Sequence, residues 1–132
     1  MKSMDGTTMV KVSLSIDVPD VAAAETFFAE ALGFETVRQE PPSLIMRAGT
    51  LEVWLLPRAE GSIAVRDTDL SRSYQRHWTP IHLDIIVDDL ESALARAISA
   101  GATQEGEIVT GEEGTIAFCA DPFGNGFCLI QE

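Results

Sequence analysis

The sequence predicts an α+β fold of tandem βαβββ modules, which form a curved mixed β-sheet cleft with helices on the outer face. Two observations predict it. The residues from Met9 to Pro57 and from Pro80 to Glu132 share one plan, in which an apolar strand, an acidic helix cap and an alanine-rich helix precede short strands. Residues 13–20 also align with residues 82–89 without a gap. Because repeated units must bury a face against each other, we expect the functional site where they meet.

The first strand of each unit alternates between apolar and polar residues. One face of the first strand holds Val12, Leu14, Ile16 and Val18, and the other holds Ser13, Ser15 and Asp17. In the second unit the corresponding faces hold Leu83, Ile85 and Val87, against His82, Asp84 and Ile86. A period of two is typical of a half-buried strand. We therefore expect the apolar face to pack on a helix and the polar face to open towards water or a ligand.

A helix is predicted after the first strand. Asp20 is a suitable N-cap, and the alanine-rich segment runs to about Leu32 before Gly33 ends it. The remaining short apolar runs of the first unit predict three strands, at Glu35 to Gln39, Ser43 to Arg47 and Leu51 to Leu56.

The second unit repeats this order. Its helix begins at Asp88 or Asp89 and runs to Gly101, and Asp88 and Glu91 have the spacing of a capping box. Three strands are predicted after it, at about Glu105 to Val109, Thr115 to Ala120 and Gly126 to Gln131.

The chain of 132 residues, 45% of them hydrophobic, is long enough for one domain with a real core. Module one covers about residues 9–57 and module two about 80–132, and the connector from Arg58 to Thr79 lacks regular periodicity. The connector gathers rings and guanidinium groups that would suit closure over a pocket, at Arg72, Tyr74, Arg76, His77 and Trp78. A surface loop with a short helix is the interpretation that loop composition favours.

The net charge of −12 limits the kinds of molecule that the protein would bind. Such a chain would repel nucleic acid and an anionic membrane, and it favours a cationic ligand over an anionic one. Two cysteines do not make a disulfide scaffold, so reduced thiols are expected. Residues 1–9 do not resemble a secretory signal, and no run reaches the roughly 18 apolar residues of a membrane span. These features predict a cytoplasmic protein.

The turn Asp121-Pro-Phe-Gly-Asn125 stands immediately before the last predicted strand. Pro122 presets φ, and Gly124 and Asn125 tolerate positive φ, so the segment suits a tight turn. Together with the repeated βαβββ plan, it resembles the vicinal oxygen chelate superfamily, which includes glyoxalase I, bleomycin-resistance proteins and extradiol dioxygenases. The resemblance covers nearly the whole chain.

The resemblance implies four metal-ligand positions, at the first and last strands of each half. These positions fall on Ser13, Glu52, His82 and Cys128. Glu52 and His82 match the family pattern, whereas Ser13 stands where a His or Gln is usual and Cys128 where the final Glu is usual. The resemblance therefore implies a degenerate site, with no cofactor or with a divalent metal such as Zn, Ni, Mn or Fe.

Metal and ordinary interpretations of these residues both stay open. Glu52, His82 and Cys128 would make a three-ligand zinc site with an open fourth position, beside which Asp84 would move a proton. In the ordinary interpretation Arg47 faces Glu52 across a hairpin, Cys119 faces Cys128 as a pair of small apolar side chains, and His82 is satisfied by Asp84.

Three functions follow from these alternatives. The first is binding of a small organic molecule, cationic or aromatic, in the sheet cleft. The second is a divalent-metal-dependent lyase, isomerase or dioxygenase of the glyoxalase type. The third is a structural or regulatory dimer without a small ligand. Because two such units must pair within or between chains in this superfamily, a homodimer is expected. The predicted ligand-binding residues are Ser13, Ser15, Glu52, Trp54, His82, Asp84, Phe118 and Cys128.

Overall fold

The computed structural model describes residues 9–132, so the expectation about a secretory signal lies almost entirely outside the described part. The described residues form two helices and nine strands. No helix in this part of the chain is long and apolar enough to cross a membrane. In chain order the elements are β1 (Ser13–Val18), α1 (Val21–Leu32), β2 (Glu35–Glu40), β3 (Ser43–Ala48), β4 (Leu51–Pro57), β5 (Leu83–Ile86), α2 (Leu90–Ser99), β6 (Thr103–Gln104), β7 (Val109–Gly111), β8 (Gly114–Ala120) and β9 (Gly126–Gln131).

The strands form one sheet in each module. The first sheet has the order β1-β4-β3-β2, and the second has the order β5-β9-β8-β6 with β7 beside β8. The first strand of each module runs parallel to the last, and the other neighbours are antiparallel. This arrangement confirms the predicted α+β fold with mixed sheets. In the described part of the chain β1 and β5 each pair on one side, so both are edge strands.

Both helices begin at an aspartate. The Asp20 carboxylate accepts a hydrogen bond from the backbone N–H of Ala23 at 3.1 Å, and Gly33 ends α1 in the left-handed conformation at φ 75°. Asp89 is the N-cap of α2, so the predicted capping box that starts at Asp88 is wrong by one residue. Each helix begins where an aspartate of the sequence can accept a hydrogen bond from the first turn.

A single hydrophobic core includes residues of both modules, from the helices and from the strands they pack on. The helices α1 and α2 contact each other, and each packs on the sheet of its own module. Rings join the modules directly, since the centroids of Phe27 and Phe123 lie 6.0 Å apart in an edge-on arrangement. The opposite face of each sheet points away from the helices, and it carries Ser13 and Ser15 in β1.

One predicted strand is replaced by two shorter ones. The expected strand at 105–109 is divided into β6 and β7, because Gly106 turns the chain at φ 76° and Glu105 bonds to Arg76 of the connector. The other predicted strands agree with the structure to within about one residue.

The connector folds over the turn that precedes β9. The Asp121 carboxylate accepts the backbone N–H groups of Phe123 at 2.8 Å and Asn125 at 2.9 Å, which shapes the turn. Gly124 then lies against the connector: a Cβ atom there would stand 2.4 Å from the carbonyl oxygen of Tyr74. No helix forms in the connector, and His77 forms an isolated parallel bridge with Asn125 of the turn.

Candidate functional site

Three side chains of module two form a cluster with the spacing of a metal site. The ligand atoms of His82, Asp84 and Cys128 lie within 4.8 Å of one another. The parallel pairing of β5 with β9 places Asp84 level with Cys128, and His82 Nε2 lies 3.2 Å from Asp84 Oδ1. His82 and Asp84 are exposed, whereas Cys128 is buried. We call these residues the His-Asp-Cys cluster.

The donors of the cluster fit a zinc ion. Imidazole, carboxylate and thiolate are all zinc ligands, and three protein ligands leave a fourth position open. Burial, with Asp84 adding to it, raises the pKa of the Cys128 thiol to about 11. The free thiol is therefore protonated near neutral pH, and a bound metal would have to displace that proton.

The other two predicted ligand positions lie in the first sheet. Ser13 pairs with Glu52 across β1 and β4, and Arg47 faces Glu52 as expected. The Glu52 carboxylate instead accepts a bond from Lys11 Nζ at 3.2 Å. Among the residues that the structure describes, Glu52 is not part of the His-Asp-Cys cluster. The predicted metal set of Glu52, His82 and Cys128 is thus divided between two sheets.

The two cysteines do not face each other. Cys119 pairs with Phe127, and Phe118 pairs with Cys128, so the expected cross-strand thiol pair is wrong by one residue. Side chains alternate along a strand, and Cys119 consequently points into the core while Cys128 points to the opposite face. Both are free thiols. Burial raises the pKa of Cys119 to about 11 as well.

A cavity of about 340 Å³ lies between the edge strands β1 and β5. Its apolar wall combines both modules through side chains of β1, α1, β5 and β9. Two of the predicted ligand-binding residues, Ser15 and His82, also line it. The apolar lining residues are Leu14, Ile16, Phe28, Leu32, Ile81, Leu83 and Phe127.

Connector residues form the polar rim of this cavity. Arg72 Nε donates to Asp17 Oδ2 at 2.7 Å, and the Tyr74 hydroxyl donates to the carbonyl of Arg58 at 2.8 Å. Burial, followed by the nearby Asp17 carboxylate, raises the pKa of Tyr74. Arg72, Tyr74 and His77 line the cavity, so the connector closes over a pocket.

The remaining predicted ligand residues lie outside the cavity lining. Trp54 neighbours Ser15 across β1 and β4, and Phe118 neighbours Cys128 across β8 and β9. Sequence reasoning did not include Asp17 among the ligand residues. Asp17 lies on the polar face of β1 in the alternating pattern, and that pattern is the feature of the sequence that could have indicated its place in the cavity lining.

Comparison with family models identifies the family of this chain. A family model described as a glyoxalase-like domain matches residues 13–130. The chain belongs to the glyoxalase-like domain family. This membership confirms the resemblance to the vicinal oxygen chelate superfamily. Comparison of the glyoxalase-like chain with curated proteins found no match.

Solved structures share the fold of this glyoxalase-like domain. The fosfomycin resistance protein FosX from Listeria monocytogenes, complexed with Mn(II) and sulfate, has a TM-score of 0.72 at 12% identity, covering 95% of this chain and 91% of that one. A glyoxalase-related enzyme from Fulvimarina pelagi has a TM-score of 0.69 at 15% identity, with coverages of 94% and 89%. Lactoylglutathione lyase from Agrobacterium tumefaciens has a TM-score of 0.62 at 17% identity, with coverages of 94% and 94%. At these identities the likeness shows the fold alone.

Proposed function

We propose that this glyoxalase-like protein binds a small, flat organic molecule, uncharged or cationic, in the cavity between β1 and β5. The observation that carries the proposal is the composition of the cavity, which has an apolar wall and a rim of hydrogen-bonding groups. Its volume of about 340 Å³ suits a small ligand. Apolar walls with a few convergent polar groups are typical of such sites.

The charges around the cavity support an uncharged or cationic ligand. The Arg72 guanidinium on the rim is already paired with Asp17, so its charge is largely compensated. Asp121 adds a second carboxylate to the lining. The whole chain also carries a net charge of −12, which disfavours the approach of an anion.

Three naphthalene compounds with different head groups test this proposal by titration calorimetry. 1-Naphthol is uncharged, 1-naphthylmethylammonium is a cation, and 1-naphthalenesulfonate is an anion. We expect the first two to bind and the sulfonate to bind at least about tenfold more weakly, which corresponds to about 1.4 kcal/mol. An equal affinity for the sulfonate would contradict the proposed ligand class.

A cavity-filling variant locates the binding. Ile16→Trp places an indole into the lining of the cavity, and we expect it to abolish naphthol binding. Val109→Trp is the matched control, because Val109 is 51% exposed on β7 and does not line the cavity. Binding that survives in the Ile16 variant would place the ligand elsewhere.

A second candidate function is a divalent-metal-dependent lyase, isomerase or dioxygenase of the glyoxalase type. The His-Asp-Cys cluster favours it, because three donors that suit zinc stand within 4.8 Å of one another. His82 belongs both to this cluster and to the cavity wall, so a ligand in the cavity would contact one residue of the cluster. A zinc ion held there would supply Lewis-acid polarisation of a carbonyl group.

Elemental analysis of protein purified without chelator tests the metal candidate. We expect about one zinc ion per chain, lost in His82→Ala and in Cys128→Ala. Glu52→Gln should keep the metal, because Glu52 is held by Lys11 in the other sheet. Cys119→Ala is the matched control, since it removes a thiol that points to the opposite face of the same sheet. Background metal content in the unmodified protein would exclude this candidate and leave the binding function standing.

We further propose that the protein is a cytoplasmic homodimer with its clefts near the interface. The edge strand β5 carries Ile86 with 55% of its surface exposed, and Val12 before β1 is 71% exposed. Burial of such apolar groups against a second copy would be favourable. The free thiols of Cys119 and Cys128 suit a reducing compartment.

A further inference from the structure

We propose that Trp78 is a positioning residue, which holds the imidazole of His82 in one orientation towards the cavity and the His-Asp-Cys cluster. The inference rests on the proposed function of His82 as a ligand-contacting or metal-binding group. It concerns a connector residue that lies outside both the cavity lining and the cluster.

The indole of Trp78 contacts the His82 ring directly. Their ring centroids lie 5.5 Å apart with an interplanar angle of 86°, so the rings meet edge to face. His82 Nε2 also lies 3.2 Å from Asp84 Oδ1. The imidazole therefore contacts both an aromatic ring and a carboxylate. Partners of this kind set the orientation of a metal-binding histidine.

The indole is itself fixed by polar contacts. Trp78 Nε1 donates a hydrogen bond to Glu105 Oε1 at 2.9 Å. Arg76 Nε donates to Glu105 Oε2 at 2.5 Å, and the Arg76 guanidinium carbon lies 4.8 Å from the centroid of the Trp78 ring. The hydrogen bond from Arg76 lowers the pKa of Glu105, so this acceptor stays ionised across the neutral range. Arg76 and Glu105 therefore restrain the indole together.

The indole of Trp78 packs directly on Gly126, and we call this contact its seat. A Cβ atom at Gly126 would stand 2.5 to 2.6 Å from three atoms of the Trp78 indole, which is closer than side chains approach. The absence of a side chain at this position lets the ring lie directly on β9. Trp78 is nevertheless 44% exposed, so its many contacts fix its orientation without burying it fully.

The test removes the ring and follows the mobility of the imidazole. The chain has two histidines, His77 and His82, so NMR relaxation of the ring C–H groups reports on His82 with His77 as an internal reference. In Trp78→Ala we expect the His82 ring to become more mobile while the His77 ring changes little. Trp78→Phe keeps a ring against His82 but loses the bond to Glu105, so it should restore part of the order.

A second variant displaces the ring without removing it. Gly126→Ala should push the indole off its seat and free the His82 ring as Trp78→Ala does. Gly111→Ala is the matched control in the same sheet, because a Cβ there would meet nothing within 4 Å and its φ is not positive. In Gly111→Ala we expect both the indole N–H resonance and the His82 ring to be unchanged.

Cobalt(II) titration followed by visible absorption measures the consequence for metal binding. Loss of a group that orients a metal-binding histidine typically costs about 10- to 100-fold in affinity, and we expect that weakening in Trp78→Ala and Gly126→Ala. A wild-type protein that binds no cobalt would refute the metal candidate, while the NMR measurement would still decide the positioning role. An unchanged His82 ring in folded Gly126→Ala and Trp78→Phe would overturn the proposal, even if Trp78→Ala failed to fold.

Discussion

Arg72 and Asp17 join the connector to β1 through a contact of 2.7 Å between Nε and Oδ2. The Arg72 side chain is 16% exposed and the Asp17 side chain 34%, so solvent screens this pair less than a surface pair. The guanidinium also donates to the carbonyl of Ile63 at 2.8 Å. One arginine thus fixes the rim of the cavity to the strand that forms its wall.

Arg72→Ala is therefore expected to destabilise the protein. Loss of a charge-assisted hydrogen bond that leaves Asp17 without its partner should lower the free energy of unfolding by about 1–3 kcal/mol, measured by urea denaturation. Arg38→Ala is the control, because Arg38 and Glu40 form an exposed pair that should contribute less than about 1 kcal/mol. Equal losses in the two variants would show that the connector is not held by this contact.

Gly124→Ala should loosen the connector. Gly124 has φ 98°, and a Cβ there would also strike the backbone of Tyr74 and Gln75. Gly61→Ala meets nothing within 4 Å at φ 80°, so it measures the conformational cost alone, about 1–2 kcal/mol. The collision should cost Gly124→Ala roughly 1–3 kcal/mol more in urea denaturation. Similar values for both alanine variants would contradict the close packing of the connector on the turn.

The buried thiol of Cys119 predicts a fall in stability at alkaline pH. Burial raises its pKa from 9.0 to about 11, so the folded protein keeps a proton that the unfolded chain loses in this range. The contribution of the protonated thiol to the free energy of unfolding is fully present below pH 9, and it is lost as the pH rises from about 9 to about 11. Urea denaturation across this range should show that the free energy of unfolding falls less steeply with pH in Cys119→Ala than in the unmodified protein. Identical slopes would mean that the thiol is not buried in this way.

The proposed homodimer is tested by sedimentation equilibrium. At micromolar concentration we expect a dimer, weakened by Ile86→Lys because Ile86 lies on the exposed edge strand β5. Val109→Lys makes the same change at an exposed residue of β7 and should leave the dimer intact. A stable monomer of the unmodified protein would count against the prediction.

The sequence was sufficient for features that depend on local physics. The strand and helix order follows from periodicity, and Asp20 and Gly33 bound α1 as their capping chemistry predicts. The pairing of Ser13 with Glu52 links two segments of module one whose likeness to the family already suggested proximity. The element order and the helix caps need no knowledge of long-range packing, whereas the pairing of Ser13 with Glu52 was suggested by the family resemblance alone.

Other features depend on register and docking that a sequence does not contain. The register of β8 and β9 differs by one residue from the one expected. Cys119 therefore pairs with Phe127 instead of Cys128, and the two thiols lie on opposite faces of the sheet. The alignment of Asp84 with Cys128 depends in the same way on the register of β5 and β9, which the sequence does not determine. The connector has no periodicity, so its contacts with Gly124 could only be seen in three dimensions.

The parallel pairing of the first and last strands in each module has a consequence for the order of folding. In the described chain β1 has β4 as its neighbour, so this strand gains its backbone partner only after the whole of module one has been made. Pairing across such a span must close a long loop first, which slows folding relative to hairpin formation. During synthesis β1 leaves the ribosome well before β4 does, so β1 is among the last strands of module one to be paired.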